Sequence, residues 1–68
     1  MIKIHLSRIL GEKRITQKEL SRMTKIRVNT ISEIYNEKTD GIKFSTLEKI
    51  CKALDIKIGD LLEIVEDS

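Results

Sequence analysis

Sixty-eight residues, 40% of them hydrophobic and 35% charged, make one small domain over 1–68, with enough apolar chain for a core and enough charge to cover it. No apolar run reaches the roughly 18 residues of a membrane span, Met1 to Leu6 lacks a signal peptide's apolar stretch, and a lone Cys51 beside a lone His5 excludes both a disulfide framework and a four-ligand zinc site. The net charge of +2 is unevenly placed: residues 1–38 carry nine Lys/Arg against four Glu, and residues 39–68 carry four Lys against seven acids. That asymmetry suits a polyanion on one side of the molecule, although on charge alone an ordinary solvated helical surface is the heavier reading. What remains is a soluble chain of a reducing cytoplasm.

Leu6, Ile9 and Leu10, with Ile2 as a further candidate, fall at spacings of three and four and predict a first helix over about 3–13. Gly11 weakens it, and Ile2 and Ile4 also alternate with polar neighbours as a short strand would. Thr16-Gln17-Lys18-Glu19 has the spacing of a capping box, in which the Thr and Glu side chains satisfy the exposed N–H groups of a helix start. The helix it opens turns Leu20 inward, has the small Ser21 next to it, and ends near Thr24. Another helix runs from about Arg27 to Tyr35 with Ile31 and Ile34 inward, and Asn29 and Thr30 are placed to help cap it. Residues 36–41, polar with Asn36 and Gly41, read as a loop. Ser45 or Thr46 starts a fourth helix, whose stripe is Leu47, Ile50, Cys51 and Leu54 and whose end is Asp55. A last helical turn covers about 58–62, and the acidic tail Glu63 to Ser68 frays at its end.

The two chain ends admit two readings. Ile2-Lys3-Ile4-His5 and Leu62-Glu63-Ile64-Val65-Glu66 both alternate, and paired as strands they would close the domain and cover Ile64 and Val65. Unpaired, they would offer those side chains as a dimer surface. Contact within the chain is favoured.

The informative stretch is 16–36. Counted from Gln17, apolar residues occupy positions four, ten, fifteen and eighteen (Leu20, Ile26, Ile31, Ile34), and the small Ser21 is at position five. Two helices crossing steeply need a small residue at closest approach and apolar residues to seat the second on the first, which is the helix-turn-helix frame. The chain predicts an all-α class: a compact bundle of about five short helices, with a short strand pair at its ends as the favoured closure.

On these residues the chain resembles the Cro/repressor-like (Xre-type, lambda-repressor-like) helix-turn-helix domains of bacterial and phage regulators. The resemblance rests on Thr16-Gln17-Lys18-Glu19-Leu20-Ser21, on the run Asn29 to Asn36, on Phe44 to Leu54, and on Gly59-Asp60-Leu61-Leu62, and so covers about residues 6–62. It implies a third, recognition helix in the DNA major groove. Two departures are notable: members usually have Gly in the turn where this chain has Lys25, and often where it has Glu37, which puts an acid near the expected path of the phosphates.

Within that frame a helix N-terminus in the groove offers its first outward side chains to base edges, here Arg27, Val28, Asn29, Ser32 and Glu33. Arg27 suits guanine, Asn29 adenine, Val28 a thymine methyl, and Glu33 the cytosine amino group. Gln17, at the start of the second helix, suits a phosphate. The resemblance assigns Asn36, Lys38 and Lys43 to the backbone, with Lys18, Lys25 and Thr30 completing that set. Each has a blander alternative: Arg27 and Lys38 as solvated charges, Asn29 and Thr30 as caps, Tyr35 as a core edge. Cys51 reads as a small core residue and His5 as a surface histidine.

The leading expectation is a sequence-specific regulator, a repressor on a double-stranded operator, working as a homodimer; the 68 residues leave no room for a sensor domain. The alternative is an antitoxin-like or accessory protein–protein interaction module, which Glu33, Glu37 and the low net charge favour slightly. No catalytic residue, cofactor, metal, small-molecule ligand or membrane partner is expected, because nucleophilic chemistry needs a base beside a pocket and His5 is alone.

Overall fold

Four helices form where the apolar spacing asks for them, and the chain ends zip together beneath them. The computed structural model describes residues 1–66. The order is β1 (Ile2–Ile4), α1 (Leu6–Lys13), α2 (Gln17–Thr24), α3 (Val28–Tyr35), α4 (Phe44–Leu54), α5 (Ile58–Leu61) and β2 (Leu62–Ile64). The core gathers one stripe from each helix: Leu6, Ile9 and Leu10; Leu20; Ile31 and Ile34; Leu47, Ile50 and Leu54; and Leu61. Ile4 adds a strand residue to it.

Each long helix ends for a local reason, and α2 begins for one as well. α2 opens on the expected capping box: Thr16 Oγ1 accepts the Glu19 N–H at 3.0 Å and Glu19 Oε1 accepts the Thr16 N–H at 3.1 Å. α1, α3 and α4 close in Schellman geometry, in which two successive N–H groups beyond the helix turn back to its last carbonyls. The donors are Arg14 and Ile15, Glu37 and Lys38, and Asp55 and Ile56. These ends need a left-handed residue, and the chain supplies charged ones: Arg14, Glu37 and Asp55, with Lys25 ending α2, have φ of 55–61°. None of the three glycines has a positive φ. A Cβ in that region is strained, so the domain forgoes stability at four helix ends.

β1 and β2 are antiparallel, with Ile2 opposite Ile64, Lys3 opposite Glu63 and Ile4 opposite Leu62. The ribbon is extended at both ends, since His5 N–H donates to the Leu61 carbonyl at 2.8 Å and Val65 N–H to the Met1 carbonyl at 2.9 Å. The favoured pairing of the chain ends is therefore present, and several expectations need correction. The first helix starts at Leu6, because residues 2–4 are extended. Ile2 leaves the helical stripe and is 61% exposed. The pairing does not cover Ile64, which stays 82% exposed: it lies on the same ribbon face as Ile4 and Leu62 but beyond the core they rest on. His5 has a partner, its Nε2 being 2.7 Å from Glu63 Oε1. Neither Asn29 nor Thr30 caps α3; the N-cap position is Arg27, with no side-chain cap. α4 starts one residue early, at Phe44, and α5 stops at Leu61, where the strand begins. Glu63 and Ile64 belong to β2, and the end of the acidic tail, Asp67 and Ser68, lies outside the described residues.

The capping box makes α2 acid-sensitive. The Thr16 backbone N–H, and then its hydroxyl, hold the Glu19 carboxyl below its usual value of 4.5. A carboxyl whose folded pKa is lowered adds stability in full above its unfolded pKa and loses it as pH falls through the folded one. Thr16→Ala is expected to cost about 0.5–2 kcal/mol at neutral pH. The melting-temperature gap between the parent and Glu19→Ala should narrow on acidification below about pH 4; a gap constant with pH would remove the charge from the explanation.

Candidate nucleic-acid interface

Four hydrogen bonds lock the turn between α2 and α3. Ser21 Oγ donates to the Ile26 carbonyl. The buried Thr24 donates its hydroxyl to the Leu20 carbonyl at 2.7 Å and accepts the Ile26 N–H at 3.3 Å. Lys25, left-handed at φ 61°, donates its N–H to the Ser21 carbonyl at 2.8 Å. Ser21 is thus more than a small residue at a crossing: its hydroxyl ties the turn to α2. Sequence reasoning missed Thr24, whose signal was a threonine at the last turn of a helix, four residues after Leu20, where its hydroxyl reaches the i−4 carbonyl.

The backbone shape expected from glycine at position 25 is kept by a lysine. Lys25→Gly should therefore stabilise the free protein by a few tenths to about 1 kcal/mol, part of the gain being offset by greater unfolded-chain entropy. Denaturant midpoints read this directly, and a destabilised variant would show that the left-handed strain is not the controlling term.

α3 is fixed from behind by Ile31 and Ile34, both buried. Its first turn offers Arg27, Val28 and Asn29 to solvent, and Glu33 is exposed one turn on. Thr30 and Ser32 are half-buried. No side-chain hydrogen bond ties up Arg27, Asn29 or Glu33 among the described residues. Thr30, Glu33 and Lys43 meet at a cleft of about 340 Å³ between α3 and the loop before α4, floored by Ile26, Ile34 and Ile42. Gln17 occupies the first position of α2, half-buried, with Lys18 exposed beside it. Lys38 and Lys43 are exposed at the two ends of the α3–α4 loop. That loop is braced by Thr39, whose hydroxyl donates to the Gly41 carbonyl at 2.7 Å.

Two side chains stand differently from a free surface. Asn36 turns its amide back onto α3, donating to the Ser32 carbonyl at 2.9 Å and to Ser32 Oγ at 3.3 Å, so these two candidates are coupled. Glu37 carries its carboxylate to β1, where Oε1 accepts the Ile4 N–H at 2.9 Å. Ile4 is in a non-hydrogen-bonded pair with Leu62, so its N–H points away from β2 and would otherwise face the open ribbon edge. The acid in the loop is thus held by a backbone donor.

Two blander readings are correct. Tyr35 packs half-buried against the core edge, and so does Cys51. Burial pushes the Cys51 thiol up from its usual value, with the Asp60 charge adding to it, opposite to what a reactive thiolate needs. Among the described residues no helix is long and apolar enough to cross a membrane.

The model of the Cro/C1-type HTH DNA-binding domain matches residues 5–67. The chain is also 38% identical, over 64 residues, to an uncharacterized HTH-type transcriptional regulator, YozG, of Bacillus subtilis (strain 168), an alignment covering 94% of this chain and 76% of that one. With its locked two-helix turn and a match over nearly its whole length, the chain belongs to the Cro/C1-type helix-turn-helix DNA-binding domain family.

Proposed function

We propose that the protein is a cytoplasmic transcriptional regulator that lays α3 in the major groove of an operator and, as a homodimer on two half-sites, represses by occupying it. The observation that carries this reading is the division of α3 into two faces. Ile31 and Ile34 fix the helix on the core, while Arg27, Val28, Asn29 and Glu33 stand clear at and just beyond its N-terminal turn, where a groove-seated helix meets base edges. Gln17, Lys18, Lys25, Lys38 and Lys43 supply the backbone contacts, and Asn36 and Thr30 join them at the two ends of α3. The regulator named in Bacillus subtilis supports the same role for this chain.

Genomic selection with the purified protein, followed by footprinting, tests the reading. The expected result is one enriched motif of two half-sites about one helical turn apart, bound with an affinity that falls steeply with salt. Salt-dependent binding with no enriched motif would remove sequence-specific regulation, and no binding at all would leave a protein-binding module. Lys25→Gly is expected to weaken operator binding at low salt and to flatten the salt slope; equal binding at every salt concentration would exclude the lysine from the contact.

A further inference from the structure

Three penalties meet at Glu37. Its backbone is left-handed, at φ 56°, where a Cβ is strained. Its carboxylate belongs to the C-terminal end of α3, the end of a helix that favours cations. It also stands beside Lys38, near the expected path of the phosphates. Against these stands one contact: Oε1 accepts the Ile4 N–H, 2.9 Å away and 33 residues back in the chain. Ile2, the other residue of β1 whose N–H faces the open edge, has no such acceptor among the described residues. Glu37 is fixed at its main chain as well. Its N–H donates to the Ile34 carbonyl at 3.1 Å and that of Lys38 to the Glu33 carbonyl at 2.8 Å, the two bonds that close α3. Beyond them the loop passes along the ribbon, where Thr39, Gly41 and Ile42 face Ile2 and Ile4 across a cleft of about 210 Å³. Among the described residues, the Glu37 bond is the one hydrogen bond that crosses from this loop to β1.

We infer that Glu37 is a positioning residue for DNA binding: by holding the Ile4 N–H it fixes Lys38, the first lysine of the α3–α4 loop, against the terminal ribbon, and commits its own carboxylate to the protein. This role rests on the reading of Lys38 as a phosphate ligand. A lysine on a loosely held loop gives up backbone freedom when it meets a phosphate, whereas one whose backbone is already fixed gives up less and binds more tightly for the same charge. The tie also couples the two chain ends to the loop, because β1 is held in turn by its pairing with β2.

Two variants separate the hydrogen bond from charge and from strain. Glu37→Gln loses the charge but keeps a carbonyl acceptor of the same reach, and Glu37→Ala loses both. Glu, Gln and Ala all carry a Cβ, so the left-handed strain is common to the three chains. Amide hydrogen exchange without DNA should find Ile4 protected in the parent and in Glu37→Gln and about tenfold faster in Glu37→Ala, with Ile2 fast in all three. On DNA the two variants have equal charge, so a difference between them belongs to the hydrogen bond. Below both melting transitions, Glu37→Ala should bind a short duplex about fivefold more weakly than Glu37→Gln, on a sequence the parent enriches and on a mixed sequence alike, because a phosphate contact carries no base identity. Lys38→Ala should weaken Glu37→Gln and leave Glu37→Ala nearly unchanged, a coupling that lost stability alone would not produce. Equal Ile4 exchange in Glu37→Gln and Glu37→Ala would overturn the tie. Equal DNA affinity of the two, or an undiminished effect of Lys38→Ala in Glu37→Ala, would overturn the positioning role. The expected differences on the mixed duplex, in a chain that enriches no sequence, would keep this role and remove the operator reading.

Discussion

Arg27→Ala and Asn29→Ala are each expected to lower affinity for the selected operator by about 1–3 kcal/mol and to relax base preference at one position of each half-site. The size follows from where the two side chains sit. Arg27 is the N-cap position and Asn29 lies in the first turn of α3, both are exposed, and among the described residues neither has a side-chain partner to give up on binding. A guanidinium forked onto guanine, or an amide onto adenine, makes two hydrogen bonds that the wrong base leaves unmade, and a buried unmet donor is the costly outcome. The loop lysines should behave otherwise. Lys38→Ala or Lys43→Ala should weaken all sequences alike and lower the salt slope by about one, since a phosphate contact carries charge and no base identity. Affinity and specificity unchanged in both α3 variants would remove α3 from the groove, whatever the lysines do.

Most of the helix-turn-helix was legible because its determinants are local. The capping box, the Leu20–Ile26–Ile31–Ile34 spacing and the left-handed need at position 25 each depend on residues a few positions apart, and all three are present. What sequence reasoning missed depends on contacts between distant parts of the chain. Glu37 read as an acid exposed towards phosphates, but its carboxylate is used 33 residues away on the Ile4 N–H. His5 read as partnerless because Glu63, 58 residues on, becomes its neighbour only once the ribbon pairs. Phe44 fits the period of α4 yet lies outside the core, because the helix begins at that residue and none of the described residues covers its side chain. Periodicity reports which face of a helix is apolar; it does not report whether the chain itself provides the cover.

The same distinction sets a large stability effect expected for this domain. Leu61 ends a helix of only four residues, too short to stand alone, and is fully buried. Its side chain anchors α5 in the core, and its carbonyl receives the His5 N–H that joins the start of the chain to the ribbon. Leu61→Ala should therefore cost about 2–5 kcal/mol, from lost transfer energy and the cavity left behind. In a domain of this size that approaches the whole of its stability, so loss of a cooperative melt is the expected form of the result. Ile64, three residues on and in the same ribbon, is the control. With its side chain in water, Ile64→Ser should change stability by no more than about 0.5 kcal/mol. Equal losses from the two substitutions would mean that the ribbon closes the domain through its strand pairing. The expected disparity would mean that Leu61 holds the end of the chain, and that the strands follow from where it is placed.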